Sequence, residues 1–385
     1  MSFQYGLENL CANSDLINSL RQKRVGLVAH PASVDQNLNH SLDILKLRGV
    51  NIVCAFGPQH GVRGEKQDNM VESDDFIDPD LKIPIYSLYG KVRRLTPEML
   101  DQFDVLLFDL QDVGCRIYTF LTTLFYCLED LNKYSKKEIW VLDRPNPAGR
   151  PVEGFTLTKG FESFVGAGYL PMRHGLTLGE AAVWFKNATH LNTNLKVIEM
   201  SGYKPDQSPW PKSLSWVNPS PNLPRLTGVW TYPGTVMIEG VTLSEGRGTT
   251  IPLEVFGAPG LNHKKILSYM QEMGGDWLKH CVIRQAFYEP TFHKFKGELV
   301  SGMQVHVDHP SYDHDKFKPF RLISLYFKAV RSLYPELELW RKPPYEYVTD
   351  KLPIDVISGS EALRKWCDDK SSKASDLEAM LIKDE

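Results

Sequence analysis

At 385 residues, 42% of them hydrophobic, the chain is long enough for two domains and has ample apolar content for their cores. Its 44 basic and 47 acidic residues leave a net charge of −3, with no long block of one sign, which argues against a nucleic-acid or anionic-membrane partner. Six cysteines without a C-x-x-C pair read as buried thiols in a reducing compartment, and no stretch approaches the ~20 apolar residues of a membrane span. The start lacks a leader-like pattern, so the expectation is a soluble cytoplasmic protein, or a secreted or periplasmic one if a signal peptide has been removed.

In chain order, short apolar runs at 24–29 (RVGLVA), 51–56 (NIVCAF), 83–88 (IPIYSL), 104–110 (DVLLFDL) and 138–142 (EIWVL) predict strands. Leu42, Ile44, Leu45 and Leu47 recur at roughly helical spacing between the first two. Phe120, Leu121, Leu124, Phe125, Leu128 and Leu131 do so between the last two. Strand, helix, strand with short connections means parallel pairing, so the fold class is α/β, a doubly wound, Rossmann-like parallel sheet. Beyond about residue 185 the texture changes to Pro-, Ser- and Trp-rich loops and mixed strands, with one clear helix at 319–335. The domain reading is 1–185 for the Rossmann-like part and 186–385 for a smaller α+β C-terminal domain.

The polar punctuation falls after the strands: HPAS, GPQHGVRGE, YGKVRR, QDVGCR and DRPNPAGR. In a parallel sheet these loops share the C-terminal edge, where ligands bind. GPQHGVRGE offers glycines that let backbone approach a ligand, with His60, Arg63 and Glu65 able to point at it; a Gly-rich turn with solvated charges is the alternative. Asp112 either contacts a ligand with Arg116 and Tyr118 or caps the helix that begins near Ile117. Arg144 and Asn146 sit on a loop stiffened by two prolines and suit a polyhydroxylated ligand, although Asp143 and Arg144 could equally form a structural ion pair. Trp216, Asn218, Ser220 and Asn222 on WVNPSPNLP have the aromatic and amide groups that hold sugars, unless the segment only crosses between domains. In EGVTLSEGRGTT, Glu239 and Glu245 would share one face of a strand, near Arg247. One carboxylate from this segment and one from the first domain, facing across a cleft, would make a two-carboxylate glycosidase.

Competing chemistries lack their signatures. The first strand ends without G-x-G-x-x-G, and GPQHG is not followed by Gly-Lys-Ser/Thr, so a nucleotide cofactor is not expected. The eleven histidines show no H-E-x-x-H or paired metal spacing, and no serine lies in G-x-S-x-G, so neither a metal nor a serine nucleophile is expected.

Eight ordered segments, from HPAS through GPQHGVRGE, FDLQDVGCRIYTF, VLDRPNPAGRPVEG, SFVGAGYLPMRHGLTLGE, WVNPSPNLP and YPGTVMIEGVTLSEGRGTTIPLEVFGAP to FKGELVSGMQVHV, resemble the NamZ-type exo-β-N-acetylmuramidases, also catalogued as DUF1343 and glycoside hydrolase family 171. The resemblance spans about Gly6 to Trp366. It implies a Rossmann-like domain joined to a smaller C-terminal domain, with the active site in a cleft between them. It also implies release of N-acetylmuramic acid from the non-reducing end of peptidoglycan fragments, with a muropeptide or N-acetylmuramyl glycoside as the partner molecule.

Under that resemblance Glu65 and Glu239 are the expected working carboxylates, oriented by Asp112 and His60. Arg63, Arg144 and Arg247 are candidates for the lactyl carboxylate of muramic acid, because a guanidinium binds carboxylate bidentately. Gln59, Arg116, Tyr118, Asn146, Asn218 and Asn222 complete the expected binding set. Many relatives carry Glu where this sequence has Gln59, which cannot donate a proton as an acid. The second reading is therefore a catalytically impaired binder of muropeptides or amino sugars.

Overall fold

The computed structural model describes residues 2–62 and 74–384. Two compact units emerge. The first comprises Met1–Gly114, Tyr118–Arg150 and Gly175–Pro221, and the second Cys115–Ile117, Pro151–His174 and Asn222–Glu385.

The first unit is built on a seven-stranded sheet: β1 (Val25–Ala29), β2 (Ile52–Gly57), β3 (Phe76–Ile77), β4 (Pro84–Ser87), β5 (Val105–Asp109), β6 (Glu138–Leu142) and β7 (Asn194–Ile198). The spatial order is β3-β4-β2-β1-β5-β6-β7, and every pairing except β3 with β4 is parallel. The five expected strands and both expected helices, now Ser41–Leu47 and Thr119–Leu131, are present within a residue or two of their predicted ends. From β1 the chain winds outward through β2 and β4, then returns to β1's other side with β5. The switch point of the doubly wound sheet therefore lies between β1 and β5, where the crevice of such folds opens.

All five residues of β1 and of β5 are buried, as expected of strands covered on both faces. On one face Val25, Leu27, Val105, Leu107 and Leu142 join a core with Leu7, Leu10, Ile17 and Leu20 of the N-terminal helices. The helix Thr119–Leu131 is buried along most of its length, and Phe125 stacks on Phe185 of the helix Leu178–Ala188 with ring centroids 3.9 Å apart. β7 is a strand that sequence pattern does not reveal. It lies at the sheet edge, and among its five residues only Ile198 is fully buried, too sparse a pattern to stand out.

The second unit carries a three-stranded antiparallel sheet, β8 (Val255–Ala258), β9 (Val282–Tyr288) and β10 (Val300–His306), with β10 in the centre. The expected helix at 319–335 is Pro319–Leu333, and it crosses the helix Leu226–Thr235 so closely that a Cβ on Gly234 would lie 2.0 Å from the Pro319 carbonyl oxygen. One expectation is corrected here: Glu239 and Glu245 do not share a strand. Residues Val236–Gly240 form a 3₁₀ turn, and Gly246 and Gly248 take φ of +78° and +81°, which breaks any extended run before β8 begins.

Truncating Phe125 removes a stacked ring from a well-packed face. Phe125→Ala is expected to cost about 3–5 kcal/mol, measurable as a lower urea midpoint with the m-value unchanged.

Candidate active site

In the first unit, the loops that leave β1, β2, β5 and β6 are fastened to one another at the sheet's C-terminal edge. After β1, the His30 N–H donates to Ser33 Oγ at 2.9 Å, and the Ser33 hydroxyl donates to the Asp109 carbonyl at the end of β5. After β2, His60 and Gly61 both have left-handed backbones, with φ of +74° and +80°. That geometry is uncommon for histidine and holds a buried imidazole at a fixed place on the rim. Beside it, buried Gln59 accepts a 2.8 Å hydrogen bond from the Thr119 hydroxyl at the start of the helix Thr119–Leu131. Arg63 and Glu65 of this loop lie outside the described residues.

After β5, one Asp112 carboxylate oxygen accepts from the Gly114 N–H at 2.7 Å, while the Gln111 amide donates to the Asp112 and Pro145 carbonyls, each at 2.9 Å. Asp112 thus shapes its own turn; the helix Thr119–Leu131 has Tyr118 as its N-cap and no side-chain cap, so the capping alternative fails. Gly114 has φ +76°, and a Cβ there would lie 1.9 Å from Asn146 Oδ1, so only glycine fits. The Tyr118 hydroxyl donates to the Pro219 carbonyl at 2.7 Å, tying the WVNPSPNLP loop to the rim, and Asn218 donates to the Ser220 carbonyl at 3.0 Å.

The DRPNP loop resolves the ion-pair question in an unexpected way. Arg144 pairs with Asp109 and not with Asp143: Nε and Nη2 donate to the two carboxylate oxygens at 2.6 and 3.0 Å, and Nη1 donates to the Val34 carbonyl at 2.9 Å. Asp143 instead accepts from the Thr177 hydroxyl and the Gly179 N–H, both at 2.9 Å. The Asn146 amide is engaged with Gly149, Leu176 and Ala148. Arg144 and Asn146 therefore use their side chains to build the loop.

In the second unit, Glu239, Arg247 and Glu245 form a buried charge cluster. Arg247 Nη2 donates to Glu239 Oε1 at 2.5 Å, and its Nε lies 3.2 Å from Glu245 Oε1. The other Glu239 oxygen accepts from the Tyr345 hydroxyl at 2.9 Å. Lys294 donates to Glu245 Oε2 at 3.0 Å and to the Ile238 and Leu243 carbonyls at 2.9 Å each, and His293 lies 3.2 Å from Glu245. Asn222 is buried in this unit. Arg116, fully buried, donates to the Phe155, Leu170 and Ile357 carbonyls at 2.6, 2.7 and 3.0 Å, which is a structural use of a guanidinium.

Burial gives the carboxyls opposite characters. Asp112 is pushed up to about 7 by desolvation, against the smaller opposing effect of the Gly114 and Val113 N–H groups. Burial also acts to raise Glu245, but Lys294, His293 and Arg247 outweigh it and hold the group far below the usual carboxylate range. Burial lowers Arg116 to about 10. A carboxyl near 7 is suited to exchanging protons at neutral pH, whereas one surrounded by cations is a fixed charge.

Thr119, Tyr345, His293 and Lys294 are neighbours of the candidate residues that sequence reasoning misses. Lys294 directly precedes the FKGELVSG segment, which is a signal of a kind; Tyr345 carries none, because only folding brings it to Glu239.

Two stability predictions follow from these environments. Asp109→Asn leaves the buried Arg144 guanidinium uncompensated and is expected to cost about 3–5 kcal/mol in chemical denaturation. The Asp112 carboxyl, raised from 3.8 to about 7 in the fold, contributes stability that is present in full below about pH 4 and is lost as pH rises through about 7. Asp112→Asn should therefore gain on wild type by roughly 4 kcal/mol between those limits, seen as a stability difference that grows with pH in parallel melts.

The sequence model for the N-terminal part of exo-β-N-acetylmuramidase NamZ matches residues 25–227, and that for its C-terminal part matches residues 230–385. The peptidoglycan β-N-acetylmuramidase NamZ of Bacillus subtilis (strain 168) is 38% identical over 335 residues, covering 86% of this chain and 78% of that protein. A crystal structure of a DUF1343 family protein from Bacteroides fragilis NCTC 9343 has a TM-score of 0.84 at 31% identity, covering 99% of this chain and 95% of its own. A second from the same organism, at 24% identity, shares the fold with a TM-score of 0.74, covering 100% and 95%. The chain belongs to the NamZ exo-β-N-acetylmuramidase family.

Proposed function

We propose that this chain is an exo-acting glycoside hydrolase that releases N-acetylmuramic acid from the non-reducing end of peptidoglycan fragments, in cell-wall turnover or recycling. The observation that carries the reading is its 38% identity to the B. subtilis peptidoglycan β-N-acetylmuramidase over 86% of the chain. Its substrate is a muropeptide or another N-acetylmuramyl glycoside, and its place of action is the cytoplasm, or outside it where a leader is supplied. Among the described residues, no helix is long and apolar enough to cross a membrane.

Asp112 is the carboxyl we assign to proton transfer. Burial raises its pKa to about 7, which suits it to give a proton to a departing glycosidic oxygen. Glu239, bonded to Arg247 and Tyr345 in the second unit, is assigned as the second working carboxylate. All three Arg144 nitrogens donate within its own unit, whereas Arg247 Nη1 has no hydrogen-bond partner among the described residues, so recognition of the lactyl carboxylate is assigned to Arg247 or Arg63.

Hydrolysis of a chromogenic N-acetylmuraminide tests the assignment. Asp112→Asn and Glu239→Gln are each expected to lower kcat by about 10²–10⁴-fold. The wild-type rate should fall as pH rises above about 7, and Asp112→Asn should lose that limb. Gln59 favours the second reading, a muropeptide or amino-sugar binder without turnover, because an amide bonded to Thr119 has no proton to give as an acid. Tight binding of N-acetylmuramic acid by a wild-type protein that leaves the chromogenic substrate intact would establish that reading.

A further inference from the structure

His30 is a buried titratable group at the rim that the assignments above leave unused. It directly follows β1, whose last residue Ala29 pairs with Asp109 of β5, so it stands at the switch point of the doubly wound sheet. Its ring centroid lies 5.5 Å from that of Phe120, in the first turn of the helix Thr119–Leu131, where Thr119 holds Gln59. The loop after β2 reaches the same place: His60 is close enough to act on the charge of His30, as is His40.

The hydrogen bonds of the imidazole fix its chemistry. Nδ1 accepts from the Ala32 N–H at 3.3 Å, which requires a lone pair there and puts the single proton of the neutral ring on Nε2. Burial lowers the pKa from 6.5 to about 3, with His60 and His40 adding to the effect, so the ring is uncharged near neutral pH. Nε2 is buried and has no hydrogen-bond partner among the described residues. An N–H withdrawn from water without an acceptor is a cost to the fold, and it calls for a partner that the fold itself does not supply.

A neutral donor of this kind narrows the choice of acceptor. The ring has no charge to attract a carboxylate, which a guanidinium binds far better. A sugar hydroxyl would bring a proton of its own, and the one lone pair of His30 is already used by Ala32. An amide carbonyl oxygen accepts and has no proton to place. We propose, on the basis of the hydrolase reading above, that His30 is a substrate-binding residue whose Nε2–H donates to the acetamido carbonyl of N-acetylmuramic acid.

Two variants separate this contact from a structural role. His30→Asn places an amide oxygen near the Nδ1 position and keeps the Ala32 bond, but it has no group that reaches the Nε2 position. His30→Gln extends an amide donor to that position and gives up the Ala32 bond. The full chain is titrated calorimetrically with N-acetylmuramic acid and with its 2-deoxy analogue, which keeps the lactyl carboxylate and has no acetamido group. His30→Asn should melt as wild type does, bind N-acetylmuramic acid about tenfold more weakly, and bind the analogue as wild type does. His30→Gln should melt lower yet bind N-acetylmuramic acid within about threefold of wild type; if it does not fold, His30→Asn with the two sugars carries the test alone. Equal losses for both sugars in His30→Asn, no loss for either, or a wild type without preference for N-acetylmuramic acid over the analogue overturns the proposal. Wild type that shows the preference but leaves a chromogenic N-acetylmuraminide intact would overturn the hydrolase reading alone.

Discussion

The Arg144–Asp109 ion pair is the fastening on which the rim of the first unit depends. Asp109 ends β5, Arg144 stands two residues past the end of β6, and the remaining guanidinium nitrogen reaches the Val34 carbonyl beyond β1. Both side chains are almost completely removed from solvent. Such a pair contributes little net stability compared with well-packed apolar residues, because desolvation cancels most of the attraction. What it does provide is geometry: the bidentate fork permits one relative placement of three loops. The Ser33 bond to the Asp109 carbonyl and the Gln111 bond to the Pro145 carbonyl repeat the same connections with neutral groups.

With those loops fixed, chemical differentiation on the rim and in the second unit comes from how burial is compensated. Asp112 and Glu245 are both buried carboxyls. Asp112 meets backbone N–H groups, and its proton is held to about neutral pH; Glu245 meets Lys294, His293 and Arg247 and stays charged far into acid. The difference lies in the neighbours and not in the side chains, since Asp and Glu have similar ordinary values.

This is also why the fold was more legible in the sequence than the site. Strands such as VLLFD and EIWVL and the glycine-bearing turns after them are local patterns, readable within a few residues. The partner of a charged residue is not local. Arg144 stands next to Asp143 in sequence yet bonds Asp109, thirty-five positions away, and Glu239 finds Tyr345 across 106 positions. The misread segment around Glu239 fails for a further reason: its alternation of apolar and polar residues imitates a strand, and the two left-handed glycines that prevent one also occur in many strand-ending turns. Glu65 and Arg63 lie outside the described residues, so their expected roles rest on the sequence alone.

Gln59 gives this arrangement its particular chemical consequence. An amide has the shape of a carboxyl and can hold the same place in a hydrogen-bond network, and here it accepts from Thr119 in a buried setting. It differs in having no ionisable proton, so the β2 loop can orient a ligand through Gln59 but cannot carry acid–base work through it. Under the proposed function, proton transfer is assigned to a group whose pKa lies near neutrality. Among the described carboxyls of the rim loops, Asp112 meets that condition by desolvation; Asp109 is committed to Arg144, and Asp143, raised to about 6, has both oxygens bonded at the start of the helix Leu178–Ala188. An amide at one loop and a carboxyl raised toward neutrality at the next are thus compatible with the proposed hydrolysis, as the turn made by Gly114 holds Asp112 away from water.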